Sequence, residues 1–144
     1  MLNPAISWQY WALLAAVFAA FTAILAKVGV SDVEPDFATF FRTCVILVAL
    51  AILLISTGKF ISLKTISGKS LLFLTLSGMA TGASWLCYFR ALKIGNASQV
   101  APIDKISIVL VAIFAGFFLG EKLSALNWVG IVFIVFGAFL VAVK

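Results

Sequence analysis

The chain has 144 residues, a net charge of +5, 65% apolar residues, only 10% charged residues and no histidine. A soluble domain carries about 45–50% apolar and about 25% charged residues, so a water-facing surface cannot be built from this composition. The mean hydropathy of +1.25 makes the bilayer the expected solvent. The bases stand singly among apolar runs, which argues against nucleic acid as a partner.

A crossing needs about 20 mostly apolar residues. The first such run covers about 8–28 and opens "WQYWALLAAVFAAF". Trp8, Tyr10 and Trp11 at its start suit the headgroup level, where amphipathic rings anchor a helix. "AAFTA" offers the small residues of a signal-peptide site, but no Lys or Arg precedes the run and it exceeds a signal core, so it reads as a retained helix. The linker "GVSDVEPD" holds Gly29, Pro35 and three acids. The second run, about 37–56, carries Arg42 near its start and then Cys44. "TGKFISLKTISGK" follows, with Gly58, Gly68 and three lysines.

The third run, about 70–92, contains "LTLSGMATGASWLCYF". Its Gly78 and Gly82 have the GxxxG spacing that lets helices approach closely, a spacing that also arises by chance in Gly-rich membrane helices. "KIGNAS" suits a helix end at Gly95 and a new cap at Asn96. The fourth run, about 98–119, holds Pro102, Asp104 and Lys105, and Gly120 in "GEKLSALN" marks its stop. The fifth, about 126–143, has Trp128 as an interface anchor and Gly130 and Gly137 two helical turns apart. It has no ionisable residue before Lys144, which makes it a packing helix suited to self-association. Cys44 and Cys87 form no CxxC, and without histidine no metal site is expected, so both read as small buried apolar residues. No cofactor is expected. The fold expected is therefore an all-α integral membrane protein with five transmembrane helices, one domain over about 5–143.

Five crossings put the two ends of the chain on opposite faces. Lys59, Lys64, Lys69 and Lys122 fall on the side of the first helix's start, side A. Lys27, Arg90, Lys93 and Lys144 fall on the other, side B. Adding the deeper Arg42 and Lys105 would give side B six, so the positive-inside rule gives no firm orientation, with the lysine-bearing loop weakly favouring side A as cytoplasmic. Such balance fits either a chain that inserts both ways, so that copies pair head to tail, or a small bias with one orientation dominant.

One layer of ionisable residues stands out. Asp104 and Arg42 each lie some six residues into helices that start from side B, or about 9 Å along the axis. Arg90, with Tyr88 and Trp85 just deeper, approaches the same level from the third helix. A charge at mid-membrane costs about 2.5–3.5 kcal/mol on insertion scales. Asp104 has no base three or four residues away, and Lys105 points about 100° round, so its partner is expected from another helix, from water or from protonation. Arg42 is the candidate. The layer reads either as helix-end anchors, evenly so for Lys105 and Arg90, or as a net positive vestibule for small anionic or zwitterionic solutes.

The order of these features resembles the EamA-type domain of the drug/metabolite transporter superfamily. The likeness rests on "WALLAAVFAAFTAILAKVGV", "FATFFRT", "YFRALKIGNASQVAPI" and above all "FLGEKLSALNWVGIVFIVFGAFLV". "PIDK" departs from the many relatives with an apolar residue after that proline. The resemblance implies one half of an inverted-repeat transporter, working as an antiparallel homodimer or with a second half-size chain, its site at the interface of the halves. Small multidrug members carry a membrane-embedded Glu in the first helix. The first run here has no acid, which puts proton-coupled export of cationic drugs by that route in doubt.

The function expected is secondary transport of a small metabolite across a bacterial-type inner membrane by alternating access, with no P-loop for ATP. The substrate pathway would involve Arg42, Trp85, Tyr88, Arg90, Asp104 and Lys105. The alternative is a non-transporting membrane subunit of a larger complex, and a lipid-linked sugar flippase stays open within the superfamily. An enzyme is not expected, because convergent acid–base or metal-binding groups are missing.

Overall fold

The apolar runs fold as helices because a bilayer offers backbone N–H and C=O groups no other partners. A computed structural model describes residues 7–62 and 65–143, so Lys64, Lys144 and the first residues of the expected 5–143 domain lie outside the described part. The helices are α1 (Trp8–Gly29), α2 (Pro35–Ser56), α3 (Gly68–Ile94), α4 (Ala97–Asp104), α5 (Ser107–Phe114) and α6 (Ala125–Ala142), with a π-helical turn at Ala115–Leu119 between α5 and α6. No strand occurs among the described residues. Five helical runs are long and apolar enough to cross a membrane, with α4, α5 and the π turn together forming the fourth, Ala97–Leu119.

Local chemistry sets the ends. Pro35 opens α2 at a position where its missing N–H costs nothing, and the Glu34 carboxylate accepts from the Asp36 N–H at 2.6 Å. The second crossing therefore starts two residues before the expected 37. Ser124 caps α6, its Oγ accepting from the Asn127 N–H at 3.2 Å. Asn96 stands at the N-cap of α4, as expected, but its side chain makes no capping bond there. Gly120 adopts φ of +69°, the left-handed region that ends a helix and costs any residue with a Cβ.

The fourth crossing departs from the single helix expected. The N–H groups of Lys105, Ile106, Ile108 and Val109 donate to carbonyls three residues back, at 3.0 Å each. This tight turn separates α4 from α5. At the far end the helix loosens into the π turn, which closes with the Gly120 N–H and the Glu121 N–H both donating to the Ala115 carbonyl.

The chain divides into two compact units, residues 27–93 and residues 1–26 with 94–144. In the first, Val30 and Leu92 are fully buried, with Phe89 and Thr39 close to it. Thr39 meets its polar need inside α2, its hydroxyl donating to the Pro35 carbonyl at 2.8 Å. In the second, α6 packs on α4 and α5, burying Ala112, Ile131 and Ala138. Most large apolar side chains of the helices remain exposed, as expected where lipid or another helix rather than water is the neighbour. Cys44 and Cys87 are also exposed, which corrects the expectation that they are buried: each lies on an outward helix face. Trp8, Tyr10, Trp11 and Trp128 are exposed too, as side chains at a membrane interface are.

Candidate functional site

The residues flanking side B of unit 27–93 build an ordered polar cluster. α3 ends beside the α1–α2 connection, and its last bases lace that connection down. Lys93 Nζ donates to the carbonyls of Val30 at 2.9 Å, Ser31 at 2.6 Å and Val33 at 3.3 Å. Lys27 returns the arrangement, donating to the Leu92 carbonyl at 2.6 Å. Arg90 grips Asp36 with two bonds, Nε to Oδ1 at 2.9 Å and Nη2 to Oδ2 at 2.6 Å. That bidentate geometry is the strong form of a guanidinium–carboxylate contact. Asp36 was not among the sequence candidates, because the linker acids gave no sign of which base each would meet. Its position in the first turn of α2, on the side where α3 ends, was the available signal.

Arg42 lies deeper, seven residues into α2 or about 10 Å along its axis. Its guanidinium carbon sits 4.1 Å from the centre of the Trp85 ring and 5.6 Å from that of Phe89. Both distances are within cation–π range. The Nη1 atom is buried and has no hydrogen-bond partner among the described residues. Two of the sequence candidates, Arg42 and Trp85, are thus brought together, and Phe89 joins them although it was not singled out. The half-buried Tyr88 lies on the same stretch of α3.

Asp104 and Lys105 pair with each other, Nζ to Oδ2 at 3.1 Å. This corrects the expectation that Asp104 has no partner on its own helix. α4 ends at Asp104, Lys105 is its cap residue, and the lysine's four-carbon stem folds back across the break. Asp104 stands at the C-terminal end of α4, where a cation rather than an anion is favoured, and Lys105 supplies it.

Of the candidate packing glycines, a Cβ built at Gly78, Gly82, Gly130 or Gly137 would meet nothing within 4 Å. These positions are open on the chain itself. Gly130 lines a cavity of about 390 Å³ within the unit that holds α5 and α6, whose wall is apolar apart from Glu121 and Asn127. No group of three or more metal-ligating side chains occurs among the described residues.

Residues 6–143 match the EamA-like transporter family. The chain is a member of that family: a multi-pass membrane protein of transporter type. It is 59% identical over 137 residues to the "Uncharacterized transporter in cobO 3'region" of a Sinorhizobium species, the match covering 95% of this chain and 97% of that protein. It is 32% identical over 111 residues to the "Uncharacterized transporter YxxF" of Bacillus subtilis (strain 168), covering 74% of this chain but only 34% of that longer protein. No solved structure matches the chain.

Proposed function

We propose that this protein is a five-helix unit of a secondary transporter that carries a small metabolite across a cell membrane by alternating access, paired with a second, inverted unit of the same kind. Membership of the EamA-like family over residues 6–143 is the observation that carries the reading. The Bacillus relative supports the pairing, because the aligned stretch fills 34% of its length and leaves room for a second such region. The open faces at Gly78, Gly82, Gly130 and Gly137 also support it, since small residues admit a neighbouring helix closely. The partner unit is a second copy of this chain or another half-size chain, in the bacterial-type inner membrane.

The solute route in this reading draws on Arg42, Trp85 and Tyr88 in unit 27–93, with Arg90 there as an anchor committed to Asp36, while Asp104 and Lys105 of the other unit are separate candidates for it. Ionisable groups set into a span are costly and mark solute pathways in membrane proteins. The test is counterflow in vesicles holding the purified protein, with a labelled panel of organic acids, amino acids and amines. Flux that Asp104→Asn or Arg42→Ala abolishes is the expected result. Flux untouched by both variants moves the route elsewhere. No flux of any solute, with cross-linking in the native membrane to an unrelated larger complex, favours the subunit reading instead.

A further inference from the structure

We propose that Arg42, held against the Trp85 ring, is the recognition group for an oxyanion, so that the carried solute bears a carboxylate or phosphate. This rests on the transporter reading and narrows its substrate class. A guanidinium keeps its charge even where burial is costly, so its position inside a span has to be compensated. Within unit 27–93 the nearby acids are already engaged. Asp36 takes both bonds from Arg90, Glu34 caps α2, and Asp32 accepts from the Ser31 hydroxyl at 3.0 Å. What Arg42 receives instead is aromatic: Trp85 at 4.1 Å and Phe89 at 5.6 Å.

Aromatic rings offset part of the charge but accept no hydrogen bond in the plane of the guanidinium. Nη1 therefore keeps N–H donors that nothing among the described residues takes up. A structural arginine ends like Arg90, with its donors spent on a carboxylate. Arg42 is fixed at one face and unspent at its edge, and the residue remains partly exposed. The partly exposed side of the guanidinium is where a planar or tetrahedral oxyanion would reach it, bringing the opposite charge and two acceptors at guanidinium spacing. Trp85 then serves as the wall against which the rest of the solute lies.

Trp85 also supplies the readout. The chain has four tryptophans, and replacing Trp8, Trp11 and Trp128 with Phe leaves Trp85 as the sole reporter, directly beneath the cation. In nanodiscs of phosphatidylcholine, titration with propionate, benzoate or inorganic phosphate should give a saturable change in its emission from at least one anion. Tetramethylammonium and benzyl alcohol should give none. Arg42→Gln should abolish the response, and Arg42→Lys, which keeps the charge but not the fork, should weaken the affinity about tenfold. If the three-Phe protein does not fold, melting of the native sequence with and without the same anions replaces fluorescence. Arg42→Met, in addition, should leave the melting temperature nearly unchanged, because the ring contacts it gives up are offset by the loss of an unpartnered buried N–H; a large fall makes Arg42 a structural residue and overturns the proposal.

A response equal for anions and amines, or one that survives Arg42→Gln, also overturns it, as does no saturable response to any of the three anions. Discs containing phosphatidylglycerol separate the two sources of oxyanion. If that lipid alone saturates the signal and soluble anions then add nothing, the group at Arg42 is a lipid headgroup and the solute assignment falls. Anion binding without flux leaves the site standing and sinks the transporter reading; flux of an amine with Trp85 silent to anions does the reverse.

Discussion

The four bases near side B of unit 27–93, Lys27, Arg42, Arg90 and Lys93, have taken separate roles, and the difference is set by what each side chain reaches. Lys93 sits on three loop carbonyls, which lack intrahelical donors because α1 has just ended. Removing it in Lys93→Met strands those acceptors, and a loss of about 1–2 kcal/mol is expected from charge-assisted bonds of this kind. Thermal unfolding in detergent checks it, with Lys93→Arg recovering part of the loss. The Arg90–Asp36 bridge makes a different prediction. Each single change, Asp36→Asn or Arg90→Gln, should lower the melting temperature, and the exchange Asp36→Arg with Arg90→Asp should win back only part of it. The recovery is incomplete because Asp36 also stands in the first turn of α2, where the helix dipole favours an acid and opposes a base. Purely additive losses in the exchanged protein would mean the two side chains do not act as a pair.

At the scale of elements, the fourth crossing is the informative one. The Gly120 turn closes a π-helical stretch, and its φ of +69° penalises a side chain whatever the space around it. Gly120→Ala should cost about 1–2 kcal/mol, with Gly120→Asn milder and Gly120→Val worse, read as a graded fall in melting temperature. The crossings themselves were legible in the sequence, because long apolar runs between Gly, Pro and charged linkers permit little else in lipid. α1 begins at Trp8 and the fourth run ends at Leu119, as read from composition. The break at Lys105 and the π turn were not legible: a run such as "SIVLVAIFAGFFL" has the same hydropathy whether its bonds span three, four or five residues. The arrangement of the candidate site was half legible. Costly charges singled out Arg42 and Asp104 as candidates, but which ring or base each meets depends on helix rotation and side-chain reach. Trp85 beneath Arg42 and Lys105 folded back onto Asp104 therefore came only from the structure.

For the whole molecule, the proposed pairing raises the question of how one sequence could supply both orientations. Orientation is decided by loop bases as the chain inserts, before any of them finds its folded partner. Lys59, Lys64, Lys69 and Lys122 on side A balance Lys27, Arg90, Lys93 and Lys144 on side B, so neither direction is strongly favoured. On side B the described bases then become fold contacts, to Leu92, Asp36 and the Val30–Val33 turn, so charge cannot be removed there without also loosening unit 27–93. The loop between α2 and α3 is the freer place to shift the balance. Adding two lysines there should fix side A inside the cell, and replacing Lys59 and Lys69 with Gln should fix side B inside, each confirmed by reporters fused at both ends. If an inverted pair of copies is the working form, each biased variant alone should lose transport, and expressing the two together should restore it. Full transport by either variant alone would mean that this chain works in one orientation, with a partner unit of another sequence supplying the opposite half.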